Sequence, residues 1–206
     1  MREPNFAAAA AYALGRLERE LDPRLRYHSL AHTRDDVLPA VERLAGYAGV
    51  SGEELLLLRT AAVFHDVGFI VGREEHEEAG ATICAATLPA YGYSPAQVAE
   101  IVTLIRATRI PQSPRSPLGQ LLADADLDLL GRDDFLERNG ELREELRAFG
   151  RDEADADWYR HQLAFLVDHR YWTAGARALR DNGKAANIER LRARLDTVAH
   201  MEKISE

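Results

Sequence analysis

Cysteine is almost missing: Cys84 is the single one in 206 residues, which excludes an intramolecular disulfide and any multi-cysteine zinc site. Long apolar runs are missing too. No stretch approaches the roughly 18 uninterrupted apolar residues of a bilayer span, so no membrane partner is expected. The start, Met1-Arg2-Glu3-Pro4-Asn5, puts an acid and a proline where an export signal would carry a basic flank, and the alanines at 7–11 are too short a run for its apolar core. No export signal is expected, and the expected compartment is the cytoplasm. Positive charge is in deficit, with Lys+Arg 26 against Asp+Glu 34 and a net charge of -8, which disfavours the clustered cations of a surface for DNA or RNA polymers. A Gly-rich phosphate loop, a Gly-x-Ser-x-Gly elbow and a convincing Cys-His pair are all lacking.

What is present is a 46% hydrophobic, 29% charged chain, enough for one compact domain over 1–206 with a sizeable core. Apolar residues recur at helical spacing, and Val and Ile are too few and scattered for a sheet, so the fold is expected to be all-α. Asn5 is expected to cap a helix reaching about residue 21, and a second helix spans about 29–47, with Pro39 as a kink. Ser51 and Glu54 form a capping-box pattern opening a helix through Phe64. Further helices follow over about 74–88, 94–108 (Ser94 capping, Pro95 first) and 118–130, with Pro111, Pro114 and Pro117 marking a loop. A charged segment at 132–149 and two or three helices from Asp155 onward complete the chain.

Three elements carry chemistry. His28 and His32, in Tyr27-His28-Ser29-Leu30-Ala31-His32, lie four apart and share a helix face, a weak signal by itself. His65-Asp66 closes the apolar run at 55–64, where burying an imidazole and a carboxylate costs several kcal/mol unless they are hydrogen-bonded or hold a metal. Asp124, Asp126 and Asp128 interrupt the apolar run at 121–130. On a continuous helix Asp124 and Asp128 share a face and Asp126 points away, so part of the set meets one site and at least one Asp is expected to face solvent. Two imidazoles with two or more carboxylates suit Mn, Fe, Co, Ni, Zn or Mg.

The ordered set His32, His65-Asp66 and a downstream Asp resembles the HD superfamily of metal-dependent phosphohydrolases, whose helical core holds a metal between a His, a His-Asp doublet and a distant Asp. The phrase at 27–32 is similar to a Tyr-His-Asn-x-x-His signature of cyclic-nucleotide phosphodiesterases and small bacterial HD proteins, in which the earlier His is a proton donor beside the metal. The phrase at 124–131 is similar to one in predicted small bacterial HD hydrolases. The resemblance implies a helical bundle with its metal-binding core at about 25–131 and a C-terminal helical extension at about 132–206. It implies His32, His65, Asp66 and Asp124 or Asp126 as metal ligands, and His28 with Asp66 as the catalytic pair. Some relatives carry a further histidine after the segment corresponding to 107–110; its lack here argues against a histidine-rich second metal site. His76 with Glu77 or Glu78 is expected in the outer shell of the metal or at a second metal.

No acid occurs between Glu100 and Asp124 while Arg106, Arg109 and Arg115 do, so a small anion would be steered there, and Arg106 or Arg109 is expected to bind phosphate oxygens. The expected activity is hydrolysis of a small phosphate ester, a nucleotide or related phosphomonoester, with the alternatives of an HD-type di-iron oxygenase or a non-catalytic metal- and nucleotide-binding module. A homodimer is compatible with the charged C-terminal helices. His161, His169, His200 and Cys84 are expected to be structural.

Overall fold

The computed structural model describes residues 3–205, with side chains described through Met201. Among these residues there are nine α-helices and no strand: α1 (Phe6–Glu20), α2 (Leu38–Ala48), α3 (Gly52–Phe64), α4 (His76–Thr87), α5 (Pro95–Arg106), α6 (Pro117–Asp126), α7 (Phe135–Ala148), α8 (Asp155–Asp168) and α9 (Ala174–Ser205). The fold is all-α, and no helix among the described residues is long and apolar enough to cross a membrane. The chain forms two compact units, Met1–Leu127 and Asp128–Glu206.

In the first unit, Asn5 Oδ1 accepts the Ala8 N–H at 3.0 Å and starts α1, whose Ala9, Ala13 and Leu17, four apart, make one buried stripe. Helix α3 is the centre: Leu57, Leu58 and every residue from Thr60 to Phe64 are buried, and it packs on α1, α2 and α5. The capping box expected at its start does not form. Gly52, the first residue of α3, has φ +58, and this left-handed step leaves the Ser51 side chain without a capping hydrogen bond. Such a box does form at α5, where Ser94 Oγ accepts from Gln97 N and Gln97 Oε1 accepts from Ser94 N.

The expected kink near Pro39 is realised as a π-helical turn, His32–Val37, just before α2. Pro39 lacks the N–H that would close the bond to the carbonyl four residues back, so the backbone widens upstream of it. Pro117 opens α6 rather than marking a loop, with Ser116 Oγ accepting from Gly119 N at 3.1 Å.

Helix α4 approaches the segment after His65-Asp66 closely. A Cβ on Gly68 would lie 1.9 Å from the His76 carbonyl oxygen and 2.6 Å from Gly80 N, so only glycine lets α4 dock there. This docking brings the start of α4, with His76, to the doublet.

The second unit is built around α9, which packs on α8 and on the short turn Asp128–Gly131. Asp128 forms a two-pronged pair with Arg180, at 2.8 Å for each bond. Asn187 Nδ2 donates to the Leu130 and Arg132 carbonyls.

Candidate metal centre

Helix α3 ends at Phe64, so His65 and Asp66 emerge where the chain leaves a fully packed helix. Both are buried. Backbone carbonyls only accept, so His65 Nδ1 donates to Ala62 O at 2.7 Å, and its Nε2 is turned inward. That Nε2 lies 3.3 Å from Asp66 Oδ2 and 3.3 Å from Asp126 Oδ1. From the π-helical turn, the buried His32 brings Nε2 to 3.3 Å from Asp126 Oδ1 and 3.7 Å from Asp66 Oδ2. Its Nδ1 faces Asp36 Oδ2 at 3.9 Å. His32, His65 and Asp66 each offer a ligand atom within 4.8 Å of the others, and Asp126, the last residue of α6, joins through its contacts with both rings.

His65 Nε2 and Asp66 Oδ2 are buried with no hydrogen-bond partner. Two facing acceptor-type atoms left unsatisfied in the interior are costly unless a cation sits between them. The electrostatics agree. Burial disfavours the cationic form of His65, yet the fields of the Asp66 and Asp126 carboxylates close to its ring push its pKa well above the ordinary value. Burial disfavours ionisation of Asp66, and the fields of His65, His32 and His28 overcome this, holding it well below the carboxylate range. Burial likewise opposes Asp126, but its hydrogen bond with His32 and the nearby His65 ring lower its pKa to about 2. The centre is a place where positive charge is stabilised, and its donor set of two imidazoles and two carboxylates fits a divalent ion.

Of the α6 carboxylates, Asp126 is the one that reaches both rings. Asp124 is completely buried two positions earlier, about 200° around the helix. Asp128 lies beyond the end of α6 and pairs with Arg180. The expectation that one of the three faces solvent is not met: Asp128 is 4% exposed and the Asp126 side chain 17%. A continuous helix through 130 would have turned Asp126 away from Asp124 and Asp128; the helix ends at Asp126 instead.

A ring cluster adjoins the centre. His28 stacks on Phe69 with centroids 4.4 Å apart and meets Tyr27 edge-on at 4.9 Å, and His76 stacks on Phe69 at 3.9 Å. His76 Nδ1 donates to Arg73 O at 3.2 Å, and its Nε2 lies 3.7 Å from Asp66 Oδ1, so the two oxygens of Asp66 face opposite sets of imidazoles. Glu77, buried, approaches His76 Nε2 at 3.5 Å. Glu78 does not take that outer place. As the next residue on α4 it is turned outward, and its exposed carboxylate is held by Arg106 at 2.8 Å. Arg106 is thereby committed to Glu78, while the exposed Arg109 lies 3.7 Å from Glu75. Phe69 and Asp36 escaped sequence reasoning, whereas Glu77 was one of the two acids expected beside His76. Asp36 stands four after His32 and Phe69 three after the doublet, spacings that carried a signal.

No curated protein matches the sequence. A crystal structure of a predicted HD superfamily hydrolase from an uncultured Thermotogales bacterium is similar, with 21% identity, 94% of this chain and 93% of that chain covered, and a TM-score of 0.64; this similarity shows a shared fold. The HD domain family model matches residues 14–128, more than half of the chain and the stretch that holds His28, His32, His65, Asp66 and Asp126. HD domains bind divalent metals. On that match the chain belongs to the HD domain family.

Proposed function

We propose that this chain is a metal-dependent hydrolase that cleaves a small phosphate ester, a nucleotide or related phosphomonoester. The observation that carries the reading is the convergence of His32, His65, Asp66 and Asp126 with His65 Nε2 and Asp66 Oδ2 buried and unsatisfied. Those four residues would hold the ion. A divalent cation in such a donor set lowers the pKa of water toward neutrality and neutralises charge on a phosphoryl oxygen.

The chain's own residues supply the rest. Tyr27 and Phe69 fix the His28 ring at the edge of the centre, half-buried, where an imidazole can exchange protons with both solvent and substrate. As the ester P–O bond breaks, His28 donates its proton to the departing oxygen and is reprotonated by the proton that water releases. Phe69 also holds His76, keeping its Nε2 on the outer oxygen of Asp66 and so fixing the carboxylate plane. Arg109, more loosely held than Arg106, is the guanidinium available to a non-bridging phosphate oxygen.

The test is metal analysis of protein purified without chelator, joined to phosphate release from an aryl phosphate and a nucleotide panel with Mn, Co, Ni or Mg added. About one metal per chain and metal-dependent phosphate release are expected, as in one-ion sites. Phosphate release indifferent to chelator, or none with any metal, sinks the reading. His28→Ala should keep its metal and lose about 100-fold or more in turnover; unchanged turnover removes His28 as the acid.

A further inference from the structure

Only two of the 26 basic residues are lysines, Lys184 and Lys203, and Lys184 is 7% exposed. Its ammonium donates to the His169 carbonyl at 2.6 Å, lies 3.4 Å from His169 Nδ1 and stands 5.4 Å from the Tyr171 ring centroid. Among the described residues no carboxylate forms an ion pair with it. A buried ammonium has three donors and a charge to compensate; one carbonyl, a ring nitrogen and a ring face leave it without a bonded anion, and Asp181, three positions earlier on α9, acts on it through its field alone.

Lys184 lines a groove of about 340 Å³ in the C-terminal unit, between α8 and α9. One wall is apolar, made by Leu166, Val167 and Ile188; Arg170, Lys184 and Arg192 supply charge. Among the described residues the Arg170 guanidinium bonds only to the backbone carbonyls of Val167 and His169, which leaves most of its five donors available. Glu189 is the carboxylate of the groove, and Arg192 holds it at 2.5 Å. Three cations thus face one acid, in a chain whose net charge is -8. An acidic protein has no general reason to gather uncompensated cations around a half-apolar groove, one of them buried; an anion with an apolar body satisfies both walls.

We infer that the α8–α9 groove is a binding site for a small amphiphilic oxyanion, an organic phosphate or carboxylate, with its head on Lys184 and Arg170 and its apolar body on Leu166, Val167 and Ile188. This site is separate from the His65-Asp66 centre and does not depend on the activity proposed for it.

The probe is hexyl phosphate, titrated calorimetrically into the full chain with chelator present so that no metal-loaded centre competes. Inorganic phosphate and hexylammonium serve as comparisons. Hexyl phosphate should bind and raise the melting temperature, inorganic phosphate should bind at least about tenfold more weakly, and hexylammonium should not bind. Lys184→Met should fold at least as stably as the parent, having lost an uncompensated buried charge, and should weaken hexyl phosphate about tenfold or more. Arg170→Gln, at an exposed position, should weaken it too, and both variants should hydrolyse an aryl phosphate like the parent. No binding at millimolar hexyl phosphate, equal binding by hexylammonium, equally tight binding of inorganic phosphate, or affinity unchanged in both variants overturns the inference.

Discussion

Asp126 and Asp128 stand two positions apart in one apolar run, and both are largely withdrawn from solvent. Asp128 meets Arg180 in a two-pronged pair, both oxygens bonded at 2.8 Å, within the C-terminal unit. Asp126 closes a cluster in the N-terminal unit that keeps His65 Nε2 and Asp66 Oδ2 unsatisfied. A satisfied buried pair holds structure, whereas a buried cluster of metal-binding atoms left unsatisfied by the protein is suited to hold a cation. The contrast predicts that removing a charge costs the metal at one site and structure alone at the other.

Asp66→Asn is the largest expected effect on function. It should abolish stoichiometric metal binding and lower phosphate release by more than the roughly 100-fold seen for partners one shell further out. Without metal the variant should also melt lower than the parent, because the folded chain holds the Asp66 charge in the fields of His65, His32 and His28. Metal analysis and melting in chelator check both halves; metal retained at one per chain breaks the comparison.

Gly68→Ala should be the most damaging single methyl in the N-terminal unit. Its Cβ would meet the His76 carbonyl at 1.9 Å, a backbone neighbour that cannot move alone, so α4 must shift from the doublet. A loss of about 3 kcal/mol or more, measured by denaturant unfolding, is expected together with weakened metal binding. Gly131→Ala is the counterpart, since its Cβ would fall 2.4 Å from the Arg180 carbonyl. It should destabilise comparably while leaving metal content intact; metal loss there would show that the centre depends on the second unit. Asp128→Asn leaves Arg180 without its anion and should cost about 3 kcal/mol by the same measurement, again with the metal retained.

Much of this contrast was legible in the residues. The all-α class followed from helical spacing, and the meeting of His32 with the His65-Asp66 doublet followed from the resemblance of the ordered set to the HD superfamily. The choice among Asp124, Asp126 and Asp128 was not legible, because it depends on where α6 stops. Ending at Asp126, the helix presents that residue to the rings and releases Asp128 toward Arg180, and no local stop signal marks the point. The capping box at Ser51 failed for a comparable reason: a left-handed Gly52 overrides a pattern that would work in a right-handed first turn. Glu77 and Glu78 are adjacent acids in the sequence, and only the angle at which α4 docks on Gly68 decides which turns inward.

The smallest expected effect tests the C-terminal unit through pH. His169 is half-buried with Lys184 at 3.4 Å from its Nδ1, Arg170 next in sequence and the Tyr171 ring edge-on at 4.6 Å. Burial, then the fields of Lys184 and Arg170, lower its pKa to about 4. A histidine whose folded pKa lies below its unfolded value near 6.5 is held neutral by folding. Its contribution is therefore complete above about pH 6.5 and is lost as the pH falls toward about 4. Because the ring is partly exposed, solvent screening reduces the effect to the order of 1 kcal/mol. His169→Gln, which cannot take up the proton, should unfold with a smaller loss of stability between those two pH values when both proteins are compared in chelator. Identical slopes in parent and variant would mean that the ring is free to protonate in the folded chain. The field of the uncompensated cations would then be quenched at that point, and the contrast between a satisfied Asp128 and an anion-seeking Lys184 within one unit would fall with it.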